Sequence, residues 1–404
     1  MILVLMGTPT ASLVVDDVEI ARRVLAHIDA GTTDEGDVWR EPVENYVNPN
    51  RFDAEVRLLR AMPSVFVPSV TIPNPGDHVQ RSAFGVPLFA VRGRDNRARV
   101  FRNACRHRGF ALVEGAACSH ALVCRYHGWT YRLDGSLAHV PHAEAFPDLD
   151  MPSRGLAEVE SREVDGLIVI GALDGRRSTG SQELAWLTDG TPWRDKVLPA
   201  NQLIYVDTVI RPMNWKVLIE QFLEGYHIRS THKNSFYPLQ YDDLNVVEKF
   251  GPNSRIAYPY RNIERLRARP ESDWNIDARV TFLYQLFPNV MLATFPDLML
   301  TVVIDPIDIE HTTVTTYAMA KSDLADRESR DPGPGNPAGA ASFIAQGAAE
   351  DNEMSEGVQR GLHSGANEFV EFGRHESAIG HWHATFDERL ARLGAGLSGE
   401  GDRR

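Results

Sequence analysis

The stretch that decides the fold runs Phe101-Arg-Asn-Ala-Cys105-Arg-His107 and, after sixteen further residues, Cys124-Arg-Tyr-His127-Gly-Trp-Thr-Tyr. A Cys-x-His pair is followed by a Cys-x-x-His pair, and nearby glycines predict tight turns. Two Cys with two His satisfy a zinc ion. Each loop offers one of each, however, as a two-iron cluster requires when both Cys bind one iron and both His bind the other. We interpret Cys105, His107, Cys124 and His127 as cluster ligands, with zinc as the alternative.

Composition sets the outer limits. The chain has 404 residues, enough for two domains, and its 43% hydrophobic and 24% charged residues are ordinary for a globular protein. A net charge of −13 argues against nucleic acid or an anionic membrane as partner. No run of eighteen apolar residues occurs, so we expect no transmembrane helix. Three cysteines make no disulfide framework, and thiolate ligands suit a reducing cytoplasm. Cys118 is expected to be a buried apolar thiol.

The region from about Arg57 to Leu173 alternates short β-rich runs with turn residues, which predicts a small all-β domain holding the cluster at its tip. Strands are expected at Val65–Pro68, Pro87–Arg92, Ala98–Arg102 and Leu122–Cys124. Nine arginines lie between residues 92 and 132, against only Asp95 and Glu114, a local charge of +7. They are arginines 92, 94, 97, 99, 102, 106, 108, 125 and 132. Such a concentration is typical of a solvated face or of a docking patch for an acidic electron donor.

A second candidate region begins at Asn214. Apolar residues recur with helical spacing from Trp215 to Tyr226, which predicts an amphipathic helix over residues 214–228. Glu220, Glu224 and His227 form a second stripe on that helix. His232 follows His227 by five residues, about 140° around a helix, so we expect the helix to end near residues 230–231. The two imidazoles could then converge on a metal.

The remaining chain predicts both strands and helices. Residues 281–287, 290–294, 299–305 and 312–319 are expected to form an antiparallel sheet. An amphipathic helix is expected over residues 17–29, and loops over residues 175–181 and 331–339. On a C-terminal helix over residues 376–393, we expect His375, His381 and His383 to occupy a solvated face, and the alternative is that His381 and His383 form a His-x-His metal pair.

Two motifs in this chain carry a family resemblance. Cys-Arg-His-Arg-Gly with Cys-Arg-Tyr-His-Gly-Trp-Thr-Tyr resembles the cluster motif of Rieske-type non-haem iron oxygenases, in their catalytic, ring-hydroxylating α subunits. Asn-Trp-Lys…Glu-Gly-Tyr-His-x-x-x-x-His resembles the catalytic-iron motif of the same family. The resemblance implies an α+β fold. A Rieske [2Fe–2S] domain over residues 57–173 would precede a mononuclear iron domain over residues 174–404, whose antiparallel sheet is covered by helices in a helix-grip arrangement. The resemblance covers roughly residues 60–375, and independently of it we expect residues 1–56 to pack on the catalytic domain.

The resemblance also implies a site. Fe(II) would be bound by His227, His232 and a carboxylate that matches Asp351, with Glu350 and Glu353 as rivals. Two His and one carboxylate on one face of iron leave positions for oxygen and substrate. Glu224 matches the carboxylate that joins an iron-ligand His to a cluster His of the next chain in a head-to-tail trimer. Gln221 stands where many relatives carry Asn.

The function implied by the resemblance is that of a terminal oxygenase. It would use O2 and electrons from a ferredoxin and an NAD(P)H-dependent reductase to hydroxylate or dihydroxylate an aromatic or largely apolar substrate, as in aromatic hydrocarbon catabolism. A monooxygenase acting by O- or N-demethylation is the alternative, and a Rieske electron carrier without catalysis or a zinc-stabilised binding protein are rivals of another class. A cytoplasmic homotrimer is expected, either alone or with a β subunit, and with neither nucleic acid nor membrane as partner.

Overall fold

A computed structural model describes residues 14–174, 192–197, 202–296, 298–320 and 337–400. The loop predicted over residues 175–181 lies outside these ranges. The loop predicted over 331–339 lies outside them up to residue 336, and a helix begins at Pro337. The chain forms two compact units. One comprises Met1–Asn48, Pro212–Leu300 and Asp323–Arg404, and the other Pro49–Arg211 and Thr301–Ser322.

The unit that contains the Cys/His loops is mainly β. Its central five-stranded antiparallel sheet has, in spatial order, the strands Glu158–Val159, Ala98–Arg102, Val86–Arg92, Asp77–Ala83 and Ala116–Cys118. Two three-stranded sheets accompany it, one of Ser161–Val164, Leu167–Ile170 and Ser64–Pro68, the other of Leu122–Val123, Thr130–Tyr131 and Leu137–His139. The unit also holds the paired strands Gln202–Arg211 and Thr312–Ala320 and the helix Pro49–Ala61. All four predicted strands are present. Cys118 is exposed on an edge strand, so the expectation of a buried thiol is wrong.

The other unit combines a sheet with helices. Its antiparallel strands, in spatial order, are Val246–Phe250, Asn253–Pro259, Val280–Leu286 and Val290–Thr294. Met299–Pro306 follows in the chain, and the division into units falls within it. The helices are Asp17–Ala30, Glu44–Val47, Trp215–Phe222, Ile228–Thr231, Pro337–Leu362 and Ser377–Glu400. A two-stranded ladder pairs Trp39–Pro42 with Phe369–Phe372.

Helices of this unit pack on its sheet. Asp17–Ala30 contacts the strand Val246–Phe250, and Ser377–Glu400 contacts both that strand and Asn253–Pro259. The first helix begins where the Asp16 carboxylate accepts the Glu19 amide at 2.8 Å and ends at Gly31 with φ +61°. It agrees with the helix predicted over residues 17–29. The β-rich unit and this helix-covered sheet confirm the α+β class.

The helix predicted over residues 214–228 ends earlier than expected, at Phe222. Tyr226 is exposed rather than part of the apolar face, and His227 lies beyond the helix, before the short helix Ile228–Thr231. A close approach explains the break: a Cβ on Gly225 would lie 2.6 Å from the side-chain oxygen of Asn245. The backbone at this position therefore approaches a distant segment, which helical spacing alone could not reveal.

Candidate metal centres

The two Cys/His loops have the same backbone construction. The Gly109 amide donates to the Cys105 carbonyl at 2.8 Å, and the Gly128 amide to the Cys124 carbonyl at 2.9 Å. Both glycines have positive φ, 78° and 73°, a conformation that strongly favours glycine. Each cysteine amide also donates to a residue five positions on. The two turns are therefore of equal size, although the histidine follows the cysteine by two residues in one loop and by three in the other.

These loops bring the four predicted cluster ligands together. The side chains of Cys105 and Cys124 are buried, and the His107 and His127 rings lie 4.7 Å apart, centroid to centroid. Burial and the neighbouring Cys124 raise the pKa of Cys105, while the Tyr131 hydroxyl, 3.3 Å from its sulfur, opposes this.

The His107 Nδ1 atom is buried and has no hydrogen-bond partner among the described residues. A buried imidazole nitrogen without a partner is costly, and metal coordination would remove that cost. Two thiol and two imidazole donors, one of each per loop, fit a [2Fe–2S] cluster with mixed Cys and His ligation.

A second group of ligand atoms lies in the other unit. Among the described residues, the ligand atoms of His227, His232 and Asp351 all lie within 4.8 Å of one another. The two Nε2 atoms are 3.2 Å apart, and Asp351 Oδ1 lies 3.3 Å from His227 Nε2 and 2.9 Å from His232 Nε2. Three donors that meet at one point can occupy one face of an octahedral ion, the arrangement of non-haem Fe(II) oxygenases.

Glu224 lies directly behind His227. Its carboxylate contacts His227 Nδ1 and accepts the His227 amide at 3.1 Å. A carboxylate on Nδ1 fixes the tautomer and leaves Nε2 for the metal. Burial alone would lower the pKa of His227, but the charges of Glu224 and Asp351 outweigh it and raise that pKa to about 10. The pocket therefore favours a positive charge where the three donors meet, as a site for a divalent cation should.

The structure separates the three candidate carboxylates. Asp351 meets both Nε2 atoms, whereas Glu350 lies 2.8 Å from His232 Nδ1, on the opposite edge of that ring. Glu353 is exposed. Burial opposes ionisation of Asp351, yet hydrogen bonds from His227 and His232 hold its pKa below the ordinary value. Of the three, Asp351 thus has the geometry of a ligand.

The surrounding contacts tie these segments together. The Ser355 hydroxyl donates to Gln221 Oε1, which joins the helix Trp215–Phe222 to the helix Pro337–Leu362. At the start of the helix Trp215–Phe222, Gln359 Oε1 accepts a hydrogen bond from the Asn214 amide at 2.8 Å. Gln221 therefore has a partner on the helix that also carries Asp351.

Sequence reasoning missed an aromatic cluster beside the site. The Phe236 ring lies 4.9 Å from the His232 ring, edge to face, 4.9 Å from Phe343 and 6.4 Å from Phe295. All three phenylalanines are half-buried. A Cβ on Gly347 would lie 2.2 Å from the Phe236 ring, so this glycine makes room for it. Phe236 follows His232 by four residues, which was the available signal, but Phe295 and Phe343 are remote in sequence.

Sequence reasoning also misjudged the C-terminal histidines. His383 is buried between Glu220 Oε1, 2.9 Å from its Nε2, and Glu41 Oε2, 3.3 Å from its Nδ1. His381 is mostly buried, which lowers its pKa. The expectation of a solvated face is therefore wrong for these two. Both acidic partners of His383 come from remote segments, and Glu220 is itself buried.

A cleft of about 980 Å³ lies in the β-rich unit, lined in part by Arg57, Arg60 and Arg81. None of its lining residues is a candidate ligand.

No helix among the described residues is both long and apolar enough to cross a membrane.

Comparison with known proteins identifies two domain families in the chain. The model of the Rieske [2Fe–2S] domain matches residues 64–156, and the model of the ring-hydroxylating α subunit, catalytic domain, matches residues 194–392. The chain belongs to the Rieske-type non-haem iron oxygenases, with the domain pair of their catalytic α subunits. Its cofactors are those of that family, a Rieske [2Fe–2S] cluster and mononuclear iron.

Three curated relatives are monooxygenases of quaternary ammonium compounds, by their names. The chain is 30% identical over 214 residues to the carnitine monooxygenase oxygenase subunit of Escherichia coli K12, covering 51% of this chain and 55% of the relative. It is 30% identical over 238 residues to the glycine betaine monooxygenase oxygenase subunit of Chromohalobacter salexigens, covering 58% and 50%. Choline monooxygenase of Spinacia oleracea is 25% identical over 79% of this chain and 71% of its own length. The chain thus spans about half the length of the first of these relatives.

Solved structures share the fold. The quaternary ammonium Rieske monooxygenase CntA, in complex with an inhibitor, superposes with a TM-score of 0.72 at 20% identity, covering 87% of this chain and 96% of that one. Naphthalene 1,2-dioxygenase from Rhodococcus sp. gives 0.68 at 16% identity, covering 92% and 98%. Relatives with very different substrates therefore have this architecture.

Proposed function

We propose that this chain is the terminal oxygenase of a multicomponent Rieske system. The observation that carries the proposal is the convergence of His227, His232 and Asp351 in a chain that also holds a complete Cys/His cluster motif. Bound Fe(II) would supply the chemistry of O2 activation, and the cluster would supply electrons one at a time. A ferredoxin and an NAD(P)H-dependent reductase would be the electron source.

Each residue at the proposed iron site would have a distinct role. His227, His232 and Asp351 would hold the metal on one face, so that the opposite positions stay open. Glu224 would orient His227 and keep its Nε2 deprotonated for coordination. The half-buried phenylalanines beside His232 would exclude water from one side of the site and offer an apolar surface to the substrate. The roles of these residues are part of the proposal.

We further propose that the substrate is a methylated ammonium compound and the reaction a monooxygenation. Glu224, Glu350 and Asp351 surround the two imidazoles, so the carboxylates outnumber the charges of a divalent ion and favour an additional cation. Aromatic faces bind quaternary ammonium groups, each contact contributing up to about 2 kcal/mol when desolvated. Carnitine, choline and glycine betaine monooxygenases among the relatives support this choice. The aromatic hydrocarbon expected from the sequence has less support.

The proposed reaction balances as follows. One oxygen atom of O2 is inserted into a C–H bond next to nitrogen, and two electrons with two protons reduce the other atom to water. The resulting hydroxylated carbon loses its hydroxyl proton, its C–N bond breaks, and an aldehyde and a tertiary amine form. A neutral aromatic substrate is the second candidate, favoured by the phenylalanine cluster alone.

A substrate panel tests the choice. The reduced enzyme would be offered choline, glycine betaine, carnitine, a neutral isostere in which carbon replaces nitrogen, and naphthalene, while O2 uptake and aldehyde are measured. We expect aldehyde in step with O2 uptake and kcat/KM at least tenfold higher for a cation than for its isostere, a difference of about 1.4 kcal/mol. A cis-diol from naphthalene with no aldehyde from any cation would favour the second candidate.

Metal analysis tests the enzyme assignment itself. An oxygenase should contain about three irons per chain and a pure electron carrier about two. Asp351→Ala should lower the count by one and leave the visible spectrum of the cluster unchanged. A red-brown cluster band with two irons in both proteins would support the carrier, and absence of the band would support zinc.

A further inference from the structure

Each imidazole at the iron site has a carboxylate on the edge that faces away from the other ligands. For His227 that group is Glu224, and for His232 it is Glu350, whose Oε2 lies 2.8 Å from Nδ1. In both rings Nε2 points to Asp351. The arrangement is thus doubled, with one carboxylate behind each histidine.

Glu350 is itself held in place. The buried Ser235 hydroxyl donates to Glu350 Oε2, and Gln346 Nε2 donates to Oε1 at 3.2 Å. Ser235 is fixed in turn, because its amide donates to the His232 carbonyl at 3.2 Å. A carboxylate with both oxygens occupied has little freedom to turn toward another partner.

Glu350 and Asp351 are consecutive on the helix Pro337–Leu362. Consecutive side chains on a helix diverge by about 100°, so two neighbours cannot both point at one atom. Here Asp351 points at the place where the Nε2 atoms meet, while Glu350 reaches around to the outer edge of His232. One turn of helix therefore supplies a metal ligand and the group that orients another ligand.

We propose that Glu350 is a positioning residue for the iron site, which fixes the ring orientation and tautomer of His232 so that Nε2 is available to the metal. The inference rests on the proposed function, because it assumes that His227, His232 and Asp351 bind iron. A carboxylate on the outer nitrogen also makes the imidazole a more basic ligand, and such contacts typically affect metal affinity 10- to 100-fold.

The test measures metal binding rather than turnover. Glu350→Ala, Glu350→Gln and Ser235→Ala would be compared with wild type and with Glu353→Gln, which removes the same charge from an exposed position on the same helix. Fe(II) affinity would be measured by competition with a chelator, and the geometry of the site from the visible spectrum of the Co(II)-substituted protein. Absorbance of the cluster in each variant reports folding of the β-rich unit, and far-UV circular dichroism reports folding of the unit that carries Glu350.

We expect Glu350→Ala to weaken Fe(II) binding about 10- to 100-fold and to change the Co(II) spectrum. Glu350→Gln should weaken it less, because the amide oxygen still accepts the Nδ1–H bond, and Ser235→Ala should have a small effect in the same direction. Glu353→Gln should match wild type. In turnover, kcat should fall by a larger factor than KM for a cationic substrate rises, because Glu350 would act mainly through the metal.

Wild-type affinity and spectrum in Glu350→Ala would overturn the proposal, and so would an equal effect of Glu353→Gln. A rise in KM at unchanged kcat would instead make Glu350 a substrate contact. Should Glu350→Ala not fold, Glu350→Gln and Ser235→Ala decide the question alone. Failure of the underlying function is separately visible, because wild-type protein with an intact cluster would then bind no third iron.

Discussion

At the scale of single residues, Tyr131 offers control over the cluster. Its hydroxyl lies 3.3 Å from the Cys105 sulfur and accepts the Arg106 amide at 2.9 Å. Burial raises the pKa of Tyr131, as does the neighbouring Cys105, so the hydroxyl stays protonated and can donate to a thiolate. Hydrogen bonds to cluster sulfurs are among the determinants of its reduction potential.

Tyr131→Phe should therefore lower the reduction potential of the cluster. Reduction adds negative charge to the sulfurs, and a donor that stabilises this charge favours the reduced form. The midpoint would be measured by a spectroscopic redox titration. Tyr126→Phe is the matched control, because the Tyr126 hydroxyl contacts Arg108 at 3.2 Å rather than a sulfur. Equal reduction potentials in Tyr131→Phe and wild type would show that this hydrogen bond does not influence the potential.

Single residues also show what the sequence could and could not predict. The cluster ligands were predictable because each loop is local, with its cysteine, histidine and glycine within five residues. His227, His232 and Asp351 were predicted from motifs, and the structure brings them together. The choice of Asp351 over Glu350 depended on which side of His232 each reaches. That is a property of three-dimensional packing, and spacing could not supply it.

At the scale of elements, a buried charge cluster joins three segments of one unit. His383 on the helix Ser377–Glu400 lies between Glu41 of the strand Trp39–Pro42 and Glu220 of the helix Trp215–Phe222. Tyr46 also donates to Glu220, at 2.6 Å. The solvated face expected for His383 was wrong because the acidic groups come from far along the chain. Local helical spacing carries no information about such partners.

Replacing His383 by Leu should destabilise the protein by about 3–5 kcal/mol, because two buried carboxylates would lose a shared partner. Urea unfolding followed by circular dichroism would measure the change. The control is His375→Leu. His375 is partly exposed, so losing its contact with Asp243, 2.7 Å away, should lower the free energy of unfolding by less. A difference of less than 1 kcal/mol between His383→Leu and wild type would mean that the cluster contributes little.

An ion pair joins the central sheet of the β-rich unit to one of its three-stranded sheets. Arg92, at the end of the strand Val86–Arg92, donates both terminal nitrogens to Glu163 of Ser161–Val164, at 2.6 and 2.9 Å. The Arg92 hydrogen bonds hold the pKa of Glu163 below its ordinary value, although burial opposes this. A lowered carboxyl pKa in the folded state gives stability that is present above the unfolded value of 4.5 and is lost as pH falls.

Glu163→Gln should therefore destabilise the protein near pH 7, and its difference from wild type should shrink as pH falls below 4.5. The loss should be about 1 kcal/mol, because Glu163 is partly exposed and solvent screens the pair. Denaturant unfolding of both proteins across pH 3–7 gives the comparison. Glu158→Gln, on a neighbouring strand, is the control. A difference that stays constant with pH would exclude ionisation of Glu163 as its source.

At the scale of the whole molecule, charge is unevenly distributed. The chain carries −13 overall, yet nine arginines lie between residues 92 and 132. These arginines differ in burial and in their partners. Arg92 is buried, Arg99 pairs with Asp95 at 2.6 Å, and Arg102 donates to the Leu173 carbonyl. Arg106 and Arg125 are exposed and directly follow the two cluster cysteines, and Arg125 pairs with the exposed Glu114. Arg94, Arg97 and Arg132 are exposed as well, so the basic surface includes the cluster loops and extends beyond them.

Reversing the charge of Arg106 and Arg125 together should slow reduction by an acidic ferredoxin, and the effect should diminish as salt rises. Stopped-flow reduction of the cluster at several ionic strengths would measure it. The double variant Arg94→Glu/Arg97→Glu, at an exposed hairpin turn outside the cluster loops, makes the same change in charge and should have less effect. Unaltered rates at low salt would leave these arginines as ordinary solvated surface.

The passage of electrons between the two metal centres, within one chain or between chains, can be tested by complementation. The imidazole of His127 is exposed and that of His107 half-buried, while Glu224 holds the outer nitrogen of His227. If electrons pass from a cluster of one chain to the iron of the next, two differently disabled chains should complement each other. His127→Ala would disable the cluster with little disturbance of packing, because that side chain is exposed, and Asp351→Ala would disable the iron.

Chains with these two substitutions, co-expressed with different affinity tags and purified through both, should recover part of the wild-type turnover. Each variant alone should be inactive. The reason is that a mixed assembly contains neighbours in which an intact cluster on one chain adjoins an intact iron site on another. Mixing the separately purified variants without exchange of subunits is the control and should give no activity. A doubly tagged assembly that contains both chains, holds iron and cluster, and still does not turn over would place electron transfer within one chain and exclude a working ring of identical subunits.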